Sequence, residues 1–265
     1  MTTGSEFKIY GEELEMRLQL RTSPIAVKLI KREEEIPEGA VRPVRDLGSH
    51  LALCQAFAMS RRNKETIAML KEDHWCYLPV IAFGLAEAPD FFLEGNTFNK
   101  FIVRDLDAAR DLAENLPRLE SGKYIGLVSA PLRKADFDHD LVVIYCNSSQ
   151  LRCLLAALKY KDGYLVTSTL DPGGACLQCT VPAIKTGRCH VTVPCGGDRA
   201  NALAQDDEMI FTVPRAKLDD LMLGIRHFDE IGYGYTHFTP KMRPEYSLYD
   251  NYIKVGKLVG LDVDK

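Results

Sequence analysis

The chain has no excess of basic charge: 33 Lys and Arg stand against 37 Asp and Glu, for a formal net charge of −4. Without a positive field there is no electrostatic footprint for a phosphate backbone, so nucleic acid is not an expected partner. A bilayer-length apolar run is also missing. The longest, residues 75–86 (WCYLPVIAFGLA), is broken by Pro79 and Gly84 and falls short of the roughly 20 residues that a membrane helix needs. The first residues, MTTGSEFKIY, carry an early acid and no basic patch ahead of an apolar core, which argues against a secretion signal. Internal repeats, low-complexity linkers and the GxGxxG or GxxxxGK[ST] loops of nucleotide-binding folds are absent as well. No spacing of nucleophile and base assembles a catalytic triad. These absences leave the expectation of a cytoplasmic, non-membrane protein. Its 265 residues suit a single domain (1–265) or two closely packed lobes, 1–120 and 121–265.

What the chain does have is eight cysteines: Cys54, Cys76, Cys146, Cys153, Cys176, Cys179, Cys189 and Cys195. In a reducing cytoplasm, thiols held in loops point more often to metal or redox chemistry than to disulfides.

Hydrophobic periodicity gives the organisation. Residues 24–30 (PIAVKLI), 124–130 (YIGLVSA), 141–145 (LVVIY), 164–169, 190–193 and 209–213 read as strands. Helices are expected over 10–20, 51–70, 78–86, 105–115, 150–160 and 214–228, the fifth opened by the cap-like cluster Asn147-Ser148-Ser149. The succession of strand, helix and strand after residue 141 is a βαβ-type unit. The expected fold class is therefore α/β or α+β, a mixed sheet flanked by helices. The tyrosine-rich tail (Tyr233, Tyr235, Tyr246, Tyr249, Tyr252) is expected to pack over the body or to join a second copy in a homo-oligomer.

The cysteines admit two groupings. Locally, Cys176-x2-Cys179 and Cys189-x5-Cys195 offer four soft ligands suited to zinc or an iron–sulfur cluster. The second pair, however, lacks the two-residue spacing of a zinc knuckle, and the set is not a ferredoxin run. Dispersed along the chain, Cys54, Cys76, Cys176 and Cys195 each adjoin a helix start or a glycine turn. Backbone N–H groups there can stabilise thiolates, and glycine lets the backbone approach a bulky inorganic group. Cys146 ends an apolar strand and Cys153 lies on an apolar helix face, so both read as small buried hydrophobes.

Several ordered motifs resemble one family over nearly the whole length. They are Pro24-Ile25-Ala26-Val27-Lys28-Leu29 with Glu33-Glu34-Glu35-Ile36-Pro37, Cys54-Gln55-Ala56, Cys76 ahead of Gly84-Leu85, and Ala130-Pro131-Leu132. The strand 140–145, Gly174-Ala175-Cys176, and Pro194-Cys195-Gly196-Gly197-Asp198-Arg199 with Asp207-Glu208-Met209 complete the set. The chain thereby resembles the domain of unknown function 169 family of bacteria and archaea, often from anaerobes. The resemblance implies little about activity. It does select Cys54, Cys76, Cys176 and Cys195, which coincide with the family's motifs, over Cys179 and Cys189. After Cys76 the chain departs from the family's glycine richness, having Tyr77-Leu78-Pro79.

Four such cysteines match the ligand count of one [4Fe–4S] cluster and imply a redox or electron-transfer role with a partner protein. Four cysteines buried for packing, or a zinc staple in an enzyme subunit, are the alternatives. A non-enzymatic module is another, in which Gly196, Gly197 and Arg199 hold a small anionic ligand; against it stands a plain turn with Arg199 paired to Asp207 or Glu208. His50, His74 and His190 neighbour the motif cysteines and are expected to be surface or capped residues. The run 136–140 (DFDHD) reads as a solvated turn, and Arg61, Arg62 and Lys64 as a solvated helix face that could meet an acidic electron carrier.

Overall fold

Side chains alternate between the two faces of a strand, and here both faces are apolar, which requires a covering layer on each side. The computed structural model describes residues 4–237 and 249–261. Six strands form one sheet: β1 (Ile25–Ile30), β2 (Ile67–Leu70), β3 (Gly126–Pro131), β4 (Leu141–Cys146), β5 (His190–Thr192) and β6 (Met209–Pro214). Their order is β2-β3-β1-β4-β6-β5, and each of these pairings is antiparallel. The helices are α1 (Gly4–Leu18), α2 (Leu53–Ala58), α3 (Tyr77–Ala82), α4 (Asp90–Leu93), α5 (Leu106–Asn115) and α6 (Ser148–Asp162). They continue with α7 (Ala175–Thr186), α8 (Gly196–Asn201), α9 (Arg215–Glu230) and α10 (Asp250–Leu258). The fold is a mixed α/β one. No helix among the described residues is long and apolar enough to cross a membrane.

Strand alternation sorts the core. Ile25, Val27 and Leu29 of β1 with Leu141, Val143 and Tyr145 of β4 meet α2, α3, α5 and α7 on one face. Ala26, Val142, Ile144 and Cys146 meet α1, α6 and α9 on the other. Helix α6 starts at a reciprocal cap: the Gln150 N–H donates to Asn147 Oδ1 at 2.9 Å, and the Asn147 N–H donates to Gln150 Oε1 at 2.8 Å. Helices α6 and α9 then approach closely because Gly224 has no side chain; a Cβ there would lie 2.0 Å from the Ala157 carbonyl oxygen.

Two elements differ from their sequence patterns. Residues 51–70 do not form one helix. Helix α2 gives way to a π-helical turn, Met59–Asn63, which Lys64 ends in a left-handed conformation (φ 64°), and β2 follows. Pairing of Ile67–Leu70 with β3 buries all four residues, and that long-range gain overrides local helix propensity. Residues 164–169 are not a strand, so the expected βαβ-type unit does not form and the sheet of the described residues is antiparallel and not mixed. These residues run beside β5 and satisfy N–H groups in it and just before it with side chains: Tyr164 Oη accepts from Cys189 N at 3.0 Å, and Ser168 Oγ from Val191 N at 2.8 Å. The sheet edge is thus covered without a further strand. In the tail, Tyr235 packs on the body and Tyr249 and Tyr252 are exposed. Tyr246 lies outside the described residues.

Candidate metal centre

Each of the four selected cysteines sits where a helix begins. Cys54 is in the first turn of α2 and Cys176 in that of α7, while Cys76 and Cys195 are the residues preceding α3 and α8. The fold brings the four segments to one cavity of about 550 Å³ whose lining includes all four cysteines.

Local bonds hold the segments together. Gln55, next to Cys54, accepts at Oε1 from the Ala52 N–H at 2.8 Å and from Trp75 Nε1 at 2.9 Å, tying the start of α2 to the residue before Cys76. The Trp75 N–H donates to the Leu51 carbonyl at 3.1 Å, a second tie between the same stretches. On the opposite wall, Asp171 accepts from the Gly173 N–H at 2.7 Å and from Gln178 Nε2 at 2.9 Å. This fixes the Pro172-Gly173-Gly174 turn ahead of Cys176. Gly174 has φ 68°, the left-handed region that glycine enters without strain.

Gly196 is different. Its φ is not positive, and a Cβ built on it would meet nothing within 4 Å. Neither backbone conformation nor internal packing requires glycine there, and alanine would favour the helix. A Cβ at Gly197 would meet only Cys195 Sγ, at 3.5 Å. Both glycines line the cavity, so a side chain on them would occupy space that the fold leaves open.

Burial pushes all four thiols up. For Cys54 and Cys176 the carboxylate of Asp198 and neighbouring thiols add to the shift, and for Cys195 Asp198 does so. Cys54 feels both Cys76 and Cys195, while Cys176 feels Cys54 and Cys195, so the set is mutually close. The thiols are therefore protonated in the free protein, and a bound cation would displace the protons. Among the described residues, however, no group of three or more His, Cys, Asp or Glu is arranged to hold a single metal ion. The thiols line one cavity and are not gathered on one point.

Asp198 is the centre's unforeseen member. Fully buried, it accepts from Tyr145 Oη at 2.8 Å and from Cys195 Sγ at 3.1 Å. Arg61 lies over the Tyr145 ring at 4.0 Å and pairs with buried Glu208 at 3.1 Å. The sequence signal for Asp198 was its place three residues after Cys195; Tyr145 looked like one more strand residue. The far wall is apolar, from Phe98, Leu112 and Leu116.

Other candidates sit elsewhere. Arg199 does not line the cavity; its guanidinium pairs with exposed Asp206. Cys179 is fully buried one turn beyond Cys176, and Cys146, Cys153 and Cys189 pack in the opposite core. The 136–140 run is not simply a solvated turn: His139 is 2% exposed and stands edge-on to Phe7 at 4.5 Å, and Asp140 accepts from the Leu29 N–H at 2.7 Å. Of the basic residues 61–64, Arg61 is not on a solvated face, being 1% exposed, while Arg62 is half-buried and Lys64 exposed. His74 is buried with both ring nitrogens unpartnered; His190 is buried, its Nε2 likewise unpartnered; and His50 is exposed.

No solved structure matches the chain. An uncharacterised protein of Methanocaldococcus jannaschii is 27% identical over 220 residues, covering 82% of this chain and 92% of that protein. The family described as uncharacterised ArCR, domain of unknown function 169, matches residues 13–224. Because that match takes in all six strands of the sheet and all four cavity cysteines, the chain belongs to the domain of unknown function 169 family.

Proposed function

We propose that the protein binds a [4Fe–4S] cluster through Cys54, Cys76, Cys176 and Cys195 and acts in electron transfer or a supporting redox role. One observation carries this reading: thiols from four remote segments line a single cavity walled by glycine. Thiolates are the ligands such clusters take, and the count is right. When bound, the cluster supplies one-electron transfer, and four protein thiolates would leave no iron open for Lewis-acid work.

The chain's own residues have separate tasks in this reading. Gly173, Gly174, Gly196 and Gly197 let backbone approach the group. Asp198, 3.1 Å from Cys195 Sγ, adds negative charge beside the site, which favours the oxidised state and lowers the potential. Tyr145 donates to Asp198 and so offsets its burial, and Arg61 stacks on the Tyr145 ring. Phe98, Leu112 and Leu116 limit water on the far side.

A single zinc ion fits less well. Zn–S bonds of about 2.3 Å would draw the sulfurs to within roughly 4 Å of one another, and no such gathered group is present among the described residues. A cavity of about 550 Å³ suits a polyatomic group.

The test is anaerobic purification followed by iron, acid-labile sulfide and zinc analysis. Brown protein with iron and sulfide near four each per chain is the expected result. Colourless protein with stoichiometric zinc would sink the proposal.

A further inference from the structure

A second concavity, of about 320 Å³, lies where the chain leaving α1 meets the π-helical turn after α2. Arg21, Arg61, Arg62 and Lys64 line it together with the hydroxyl residues Thr22 and Ser23; Glu15 is the one acid in the lining. Two of the cations are already answered. Arg61 pairs with buried Glu208 at 3.1 Å, and Arg21 pairs with exposed Asp207 at 2.6 Å, neither acid lining the pocket. Arg62 gives one N–H to the Leu203 carbonyl at 2.7 Å. Among the described residues no carboxylate forms an ion pair with Arg62 or Lys64.

Several buried donors here are unmatched. Ser23 is 4% exposed, and its Oγ has no hydrogen-bond partner; nor do the Nε atoms of Arg61 and Arg62. A buried donor left without a partner is costly. So is the left-handed backbone of Lys64, at φ 64°, which a lysine enters against steric preference. Concentrated positive charge, unmatched donors and local strain coincide around one open volume.

We propose that this pocket binds a small anion through a phosphoryl group, either free phosphate or a phosphorylated metabolite. With Arg21 and Arg61 largely engaged, Arg62, Lys64, Thr22 and Ser23 remain as donors, and two cations beside two hydroxyls suit the charge and the three strong acceptor oxygens of a phosphoryl group. Arginine forks and hydroxyls are the usual donors for that shape. A small molecule fits better than an acidic protein because the donors lie deep: Arg61 is 1% and Ser23 4% exposed, out of reach of a carboxylate on a protein surface. A chain of contacts links the pocket to the thiols: Arg61 stacks on Tyr145, which donates to Asp198, the acceptor of Cys195 Sγ. The proposal stands whatever the thiols hold.

Calorimetric titration of the intact protein tests it, with inorganic phosphate, glycerol 3-phosphate and acetate as probes. Saturable one-to-one phosphate binding is expected, with acetate at least tenfold weaker. Lys64→Ala and Ser23→Ala should each weaken phosphate at least fivefold. Lys64 is exposed, so its variant should keep the wild-type melting temperature and separate lost binding from lost folding. Tighter glycerol 3-phosphate than phosphate supports the site with a metabolite as its source; equal affinity supports it with the free anion. The proposal is overturned by no saturable heat in folded protein, by equal binding of acetate, or by unchanged affinity in the folded Lys64→Ala variant.

Discussion

On one face of the sheet Cys146, Cys153 and Cys189 pack among leucine, valine and alanine side chains; on the other, Cys54, Cys76, Cys176 and Cys195 border an open cavity. Burial raises the thiols of both sets, with Cys146 and Cys189 each pushed up to about 12. A raised thiol by itself therefore separates nothing. The two sets differ in what surrounds them. The packed thiols stand apart from one another, Cys146 near Glu208, Cys153 accepting from Arg152 and Cys189 near Tyr164, while in the cavity set glycines stand where side chains would fit and Cys54 and Cys176 feel neighbouring thiols. The same residue type is a small hydrophobe in one setting and a candidate ligand in the other.

The sharpest way to break this contrast is to remove thiols from each face in turn. Cys54→Ala or Cys195→Ala should lower iron and sulfide content at least tenfold, whereas Cys146→Ala should leave both unchanged. Equal iron in all three variants, measured by elemental analysis, would erase the distinction.

Three buried histidines, His74, His139 and His190, are held neutral by burial, and acid should find them. Burial first, and for His139 the Arg215 charge next, lowers His74 and His139 to about 4. As pH falls from 6.5, the unfolded chain takes up these protons before the folded one. The associated stability is complete above pH 6.5, is lost down to about pH 4, and does not fall further below that. At 1.36 kcal/mol per pKa unit, His74 and His139 each contribute about 3 kcal/mol to the loss as an upper figure. Denaturant melts across this window should show a slope that His74→Gln and His139→Gln each reduce. An unchanged slope in both variants would refute the assignment.

Glycine gives the next contrast. Gly224→Ala, on the packed face, forces a Cβ against the Ala157 backbone. It should destabilise by about 1–3 kcal/mol through overpacking. Gly196→Ala meets open space and should leave the fold intact or stabilise it by up to about 1 kcal/mol, while cluster loading falls. Opposite signs in thermal melts are expected. If Gly196→Ala loads iron as well as the wild type, the glycine wall has no bearing on the bound group.

Local patterns carried much of this protein. Buried strands such as β1 and β4 were legible from their β-branched runs, and the start of α6 from Asn147 and its neighbours, because those features are decided within a few residues. The cysteines next to glycine turns could likewise be separated from those on apolar elements. The pairing of Ile67–Leu70 with β3 was not legible, since the partner lies about sixty residues away in the chain. The covering of β5 by residues 164–169 was missed because side-chain bonds replaced the expected backbone ladder.

By itself, then, the sequence marked most of the strands and helices, though not β2, and placed Cys54, Cys76, Cys176 and Cys195 beside helix starts or glycine turns, where the family resemblance singled them out. Only the tertiary structure decided that those turns meet at one cavity, that Asp198 and Tyr145 stand behind Cys195, and that Arg61 is buried beside a second, basic pocket. The reason is physical. Turn and strand preferences are set by neighbouring residues, whereas convergence depends on packing between segments that share no local chemistry and meet only when the sheet is complete.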